Sequence, residues 1–355
     1  MTQYHTTHQR LTFHAPLAWT ELLDFFRARA IPGVECVSAS RYSRSVRLGR
    51  NRAVVEIRLA EGAALNVAVH SNISTDNSST NNSPTTDSVR SPGENLTQPL
   101  AGTASDLAVS VQRLCDLAMR PEQVRTALES DPVLAPSISA RPGLRLPGAW
   151  EGFEVGVRAI LGQQVTVKGA STLSGRLVER FGQSLPDALV QYVHAAQLRT
   201  TLQDTESQDT KSAIPVAPLS HVFPSAKKLV SVDVAAIGLP ATRAACIREF
   251  ARQVYAGHIR FDREMSAEVL QKRLLAIRGI GPWTAHYIVM RGLNYVDAFP
   301  SGDLILRRAM NPNAPEISTK CLEAHSQRWR PWRAYAAMHL WRLYGQSVGG
   351  RAAGG

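Results

Sequence analysis

The chain has 355 residues, 44% of them hydrophobic, and carries a formal net charge of +11. That length allows about two or three domains with sizeable cores. No apolar run approaches the roughly 18 residues of a membrane span, and the opening MTQYHTTHQR lacks the apolar core of a signal peptide, so we expect a cytoplasmic protein with no membrane association and, given its positive charge, a polyanionic partner such as nucleic acid.

From the beginning of the chain, residues 9–70 mix short extended runs with one helical stretch. Ala18 to Ala30 has helical apolar spacing at Leu22, Leu23, Phe26 and Ala30. Arg52 to Leu59 and Ala64 to His70 alternate as strands do, with Glu61-Gly62 between them as a hairpin turn. Residues 71–100 are rich in Ser, Thr and Asn and too poor in apolar side chains to offset their ordering entropy, so we expect a disordered insertion. From residue 103 the pattern is helical, with helices expected near 104–119, 121–129, 150–162, 166–181, 241–256, 266–277, 283–291 and 331–345. Pro and Gly clusters such as Arg141 to Gly148 separate them. A polar stretch over 203–222, most pronounced from Gln203 to Ser212, reads as a flexible loop. The expectation is an α+β protein: a small N-terminal antiparallel-sheet domain over 1–102, then an all-helical region of two subdomains over 103–355.

Cys36, Cys115, Cys246 and Cys321 are far apart and form no CxxC pair. That spacing argues against a zinc site or an iron–sulfur cluster, and four free thiols are expected.

The segment Ser266 to Asp303, SAEVLQKRLLAIRGIGPWTAHYIVMRGLNYVDAFPSGD, is the most informative. Its first helix carries Val269, Leu270, Leu274 and Leu275 and stops at Arg278-Gly279-Ile280-Gly281. Gly279 and Gly281 permit a tight hairpin, and Pro282 suits the first turn of a second helix because it has no N–H to lose. Free amides of Ile280, Gly281 and the second helix's first turn would bind a phosphate without reading sequence. An ordinary αα-hairpin turn would use the same residues, and these few positions do not decide between the two.

The wider pattern resembles the helix-hairpin-helix DNA glycosylase superfamily, most closely the bacterial 3-methyladenine DNA glycosylase II family. LLAIRGIGPWTAHYIVMRGL followed by DAFPSGD carries the likeness. So do Leu144 to Val165, Arg328 to Tyr335 and Met338 to Trp341, and more loosely Phe25 to Arg47. The resemblance implies a monomeric base-excision-repair hydrolase that flips damaged, chiefly alkylated bases out of double-stranded DNA and cuts their N-glycosidic bond. It implies that Asp303 is the catalytic carboxylate, a position that would also cap the helix from Leu304 to Met310. It implies a base pocket of Trp283, Tyr287 and Trp341, with Phe25 from the N-terminal domain. DNA contacts fall to Gly279, Ile280 and Gly281, and to a wedge at Gln164 assisted by Gln163, where two solvated loop glutamines are the plainer reading. Family members that also nick DNA use a lysine at the hairpin; Trp283 stands there, and Lys272 nearby reads as a solvated charge, so a monofunctional enzyme is expected. Some relatives carry Tyr after the aspartate, where this chain has Leu304. No cofactor is expected, although the family's hairpin can hold a monovalent cation on carbonyls, here around Ala276, Arg278 and Gly281. Two rivals remain: a glycosylase for oxidised or deaminated bases, and a helix-hairpin-helix protein that only holds DNA and has no use for Asp303 or the aromatic cluster.

Overall fold

The computed structural model describes residues 3–72, 104–204, 218–311 and 315–352. The chain starts with β1 (His5–Thr12), helix α1 (Trp19–Arg29), β2 (Glu35–Val37), β3 (Arg41–Leu48), β4 (Asn51–Ala60) and β5 (Ala64–Ser71). These strands form one antiparallel sheet in the order β1-β5-β4-β3-β2. The expected hairpin is present: Ala60 pairs with Ala64, and the turn between them holds Gly62 at φ +67 and Ala63 at φ +50. Helix α1 covers one face of the sheet by burying Leu22, Leu23 and Phe26, the last with its ring 4.8 Å from that of Tyr42 on β3. Each such side chain contributes about 1.5–3 kcal/mol of burial, and truncating the fully buried Leu23 to Ala would cost roughly 2–5 kcal/mol.

The helices follow as α2 (Ala104–Cys115), α3 (Pro121–Leu128), α4 (Ala135–Ala140), α5 (Gly152–Leu161), α6 (Val167–Phe181), α7 (Asp187–Asp204), α8 (Ala226–Ser231), α9 (Ala241–Tyr255), α10 (Ala267–Leu275), α11 (Pro282–Gly292), α12 (Leu304–Ala309), α13 (Thr319–Ser326) and α14 (Arg333–Ala352). No helix among the described residues is long and apolar enough to cross a membrane. All eight expected helices are present with modest boundary shifts; α2 stops at Cys115 because Asp116 turns into the left-handed region at φ +54.

Three expectations need correction. The region after 103 is not all-helical, since β6 (Gln183–Ser184) pairs with β7 (His221–Val222). The ends of the expected loop over 203–222 are regular: α7 runs to Asp204, and Leu219 and Val222 are buried. Their partners are Leu185, Leu189 and Val193, and together they pack on Cys36 of β2 and Val54 of β4, on the second face of the sheet. Ser71, placed at the start of the insertion, instead pairs with His5 and is fully buried; the rest of the proposed insertion, from residue 73 to 100, lies outside the described residues.

Charged side chains join the sheet to the helices. Arg44 on β3 donates to Glu154 on α5 at 2.6 Å, and Arg158 on α5 donates to both Glu154 and Glu35 at 3.1 Å. Tyr42 donates to the other oxygen of Glu35 at 2.6 Å. Burial opposes ionisation of Glu35, but Arg158 and Arg44 outweigh it and hold the carboxyl below its ordinary range. Removing one member would strand a buried charge, which makes this network a rigid tie between α1, the sheet and α5. The described elements around it bring α1, α5, α6, α11, α12 and α14 to one cleft.

Candidate functional site

Ser266 caps α10, accepting from the Val269 amide at 3.2 Å. The chain then reverses through Arg278 to Gly281 and enters α11 with Pro282 in its first turn. Gly279 sits at φ +99, and a Cβ there would meet Cys246 Sγ at 3.1 Å, so glycine is required twice over. One expectation is overturned here. The Ile280 amide is not free: it donates to the Ile277 carbonyl at 3.0 Å, and the Ile280 side chain is buried. Ile280 shapes the hairpin from within, because closing so tight a turn takes its donor. The start of α11 has no side-chain cap, so the amides of Trp283 and Thr284 are the outward donors at the positive end of that helix.

Carbonyl oxygens are hard donors suited to a monovalent cation. Among the described residues no backbone amide donates to the carbonyls of Ala276 or Arg278, whereas that of Gly281 accepts from Ala285. The first two therefore fit such an ion better than the third.

Asp303 is the N-cap of α12, its Oδ1 accepting from the Leu306 amide at 2.9 Å. Two indoles also hold it: Trp283 Nε1 donates to Oδ2 at 2.7 Å and Trp341 Nε1 to Oδ1 at 3.3 Å. Both oxygens are thus fixed in orientation, and the carboxylate lies on the wall of a cavity of about 480 Å³. Trp283, Tyr287, Trp341 and Phe25 line that same cavity, so the structure brings together every pocket residue expected from the sequence. Trp283 and Tyr287, four apart on α11, stack at 5.3 Å and 8°. Leu304, beside Asp303, is exposed.

Three arginines in the cavity wall were missed: Arg29, Arg158 and Arg291. The spacing of Phe25 and Arg29 places both on one face of α1 and was a usable signal. The guanidinium carbons of Arg29 and Arg291 lie 3.9 Å and 4.7 Å from the centre of the Phe25 ring. Arg291 also donates to Tyr287 Oη at 2.8 Å. Burial pushes the Tyr287 phenol up, but Arg291, Arg29 and Arg158 outweigh it and hold it below the ordinary range.

The glutamines of the loop between α5 and α6 take different places. Gln164 is exposed at φ +58, a conformation seldom adopted by a side chain of its type. Gln163 reaches the hairpin, donating to the Gly279 carbonyl at 2.8 Å and to Thr284 Oγ1 at 3.1 Å. It is a brace between two loops rather than a solvated side chain.

Residues 8–91 and 94–151 match the family model of the AlkA N-terminal domain. DNA-3-methyladenine glycosylase 2 of Escherichia coli strain K12 is 30% identical over 94% of this chain and 97% of its own length. The probable bifunctional transcriptional activator/DNA repair enzyme AlkA of Mycobacterium tuberculosis is 31% identical over 95% of this chain, which spans 57% of that relative's length. Among solved structures, the 3-methyladenine DNA-glycosylase of Archaeoglobus fulgidus superposes with a TM-score of 0.66 at 17% identity, covering 95% of this chain and 98% of that one. An 8-oxoguanine glycosylase/lyase of Clostridium acetobutylicum, complexed with double-stranded DNA, reaches 0.56 at 16% identity, covering 86% and 88%. At these identities the two structures establish a shared fold.

Proposed function

The chain belongs to the DNA-3-methyladenine glycosylase 2 family, and we propose that it is a monofunctional DNA glycosylase of base excision repair, acting as a monomer on duplex DNA in the cytoplasm. The observation that carries this reading is Asp303: a carboxylate with both oxygens fixed, on the wall of an aromatic cavity, within reach of the hairpin's second helix.

A flipped-out nucleotide would seat its base in the cavity and its sugar beside Asp303. As the C1′–N bond breaks, its electron pair leaves with the base and positive charge grows on the deoxyribose. The preorganised carboxylate stabilises that charge without moving. Water then adds at C1′ and leaves an abasic site. A base already made cationic by alkylation departs with little acid assistance, and the aromatic faces of Trp283 and Trp341 favour it by about 0.5–2 kcal/mol per contact.

The uncapped amides opening α11 suit a phosphate of the DNA backbone, with Gly279 and Gly281 allowing its close approach. Gln164 serves as the wedge that replaces the extruded base, and Gln163 holds the wedge loop in register with the hairpin. A monovalent cation on the carbonyls of Ala276 and Arg278 would brace the hairpin and take no part in the chemistry. Among the described residues no lysine lines the cavity, which supports hydrolysis without a Schiff base.

The test is incubation with alkylated duplex DNA and identification of the released bases by mass spectrometry. Release of 3-methyladenine and related alkylpurines is expected, with no protein–DNA adduct on borohydride treatment. Release of uracil or 8-oxoguanine alone would overturn the alkylation reading.

A further inference from the structure

Asp303 follows the loop from Leu293 to Gly302, and that loop has one charged side chain, Asp297. Asp297 is buried, and both its oxygens are taken by arginines. Arg333, the first residue of α14, donates through Nε to Oδ1 at 2.7 Å and through Nη2 to Oδ2 at 3.1 Å. Arg330 adds a third bond, from Nη1 to Oδ2 at 2.7 Å. Beside this pair the Ala334 amide of α14 donates to the Val296 carbonyl at 2.9 Å. Phe299, further along the loop, is fully buried, with its ring 5.7 Å from that of Trp329. At the far end of the loop Trp341, also on α14, donates to Asp303 itself. Arg333 and Trp341 are eight residues apart, about 12 Å along a helix. One helix thus holds the loop at both ends.

Asp297, Arg330 and Arg333 are not among the residues that line the cavity, so they meet neither base nor sugar. Nor does a buried ion pair add much stability, because desolvation offsets most of the attraction. What a planar fork on a carboxylate does supply is a fixed orientation: two parallel bonds resist rotation and sliding that one bond would allow. We infer that Asp297 is a positioning residue for excision: the Arg333 fork fixes the start of the loop, Trp341 fixes its end, and α14 is the ruler that sets where the Asp303 carboxylate stands. The inference rests on the glycosylase reading above. Asp297 acts only through Asp303 and takes no part in bond breaking.

The test compares the wild type, Asp297→Asn and Arg333→Lys by two measurements: single-turnover excision of 3-methyladenine at saturating enzyme, and binding to a duplex with an abasic-site analogue. Asp297→Asn leaves one acceptor oxygen for three donors. Arg333→Lys keeps a charge opposite Asp297 and gives up the planar fork; it strands no buried charge, and it carries the comparison if the asparagine variant misfolds. Moving a reacting group by about 1 Å can cost a hundredfold in rate. Each variant should therefore excise about 10–100-fold more slowly, while affinity for the abasic duplex stays within about threefold of wild type. In an Asp303→Asn background the same substitutions should cost less than about threefold, because the group they displace no longer carries a charge. Unchanged excision by a folded variant, affinity that falls in step with rate, or an equal factor in both backgrounds would overturn the inference and leave the glycosylase reading intact. A wild type that releases no alkylpurine would overturn that reading, and the inference with it.

Discussion

Replacing Asp303 by Asn removes one charge from the cavity and changes three hydrogen bonds. The carboxylate accepts from Trp283, Trp341 and the Leu306 amide. The introduced carboxamide would keep one acceptor oxygen. If that oxygen stays on Leu306, where it preserves the cap, the NH₂ group faces the Trp283 indole N–H that now sits 2.7 Å from Oδ2, donor against donor. That mismatch would cost about 1–3 kcal/mol of stability. The chemical step loses more. With the sugar about 4 Å from the carboxylate and an effective dielectric near 20, the attraction is roughly 4 kcal/mol, or about a thousandfold in rate at about 1.4 kcal/mol per decade. Single-turnover excision measures this, and binding to a duplex with an abasic-site analogue serves as the control. Affinity should hold or rise slightly, since the hairpin is untouched and an anion near the DNA backbone has gone. Excision within tenfold of wild type would reduce Asp303 to a helix cap.

Gln163→Ala removes both hydrogen bonds between the α5–α6 loop and the hairpin; at about 0.5–1.5 kcal/mol each, excision from duplex DNA should fall roughly tenfold, with excision from a single-stranded substrate far less affected. Gly279→Ala should cost about 1–3 kcal/mol in urea unfolding because φ +99 is poorly open to alanine, and adding Cys246→Ala, which eases the 3.1 Å contact, should recover less than half of the loss. Burial draws His339 down to about 4, with Arg141 acting in the same direction. Its folded value is below the unfolded one, so the stability it contributes is present above pH 6.5 and is lost as pH falls toward 4. His339→Gln should therefore show a flatter fall in melting temperature between about pH 7 and 5 than the wild type.

The hairpin turn, the capping position of Asp303 and the Trp283–Tyr287 pair were legible because each depends on short-range spacing: a Gly-x-Gly-Pro turn, an aspartate before a helix, aromatics four apart; the role expected of Asp303 and the place of Trp341 on α14 came only from the family resemblance. The amide inventory of the hairpin was not, since the sequence cannot say which N–H closes the turn, and Ile280 proved to be the one. Strand β3 was equally hidden. RYSRSVRL looks solvated, yet Arg41 and Arg44 are buried because Glu56 and Glu154 lie opposite them, and such partners are distant in sequence. The covering of the sheet's second face was missed for a related reason. α7 has no apolar stripe along its length, and Leu219 and Val222 sit beside a polar stretch that dominates the local composition.

The two indoles that line the cavity are also the two that steady Asp303. A variant chosen to admit a bulkier or differently shaped lesion by trimming Trp283 or Trp341 would loosen the carboxylate in the same stroke. Changes of appetite by that route should arrive slow and be hard to separate from plain loss of turnover. Wall residues that make none of Asp303's hydrogen bonds, such as Arg29 and Val165, are where the cavity's shape can evolve, or be engineered, with the carboxylate's hold left in place.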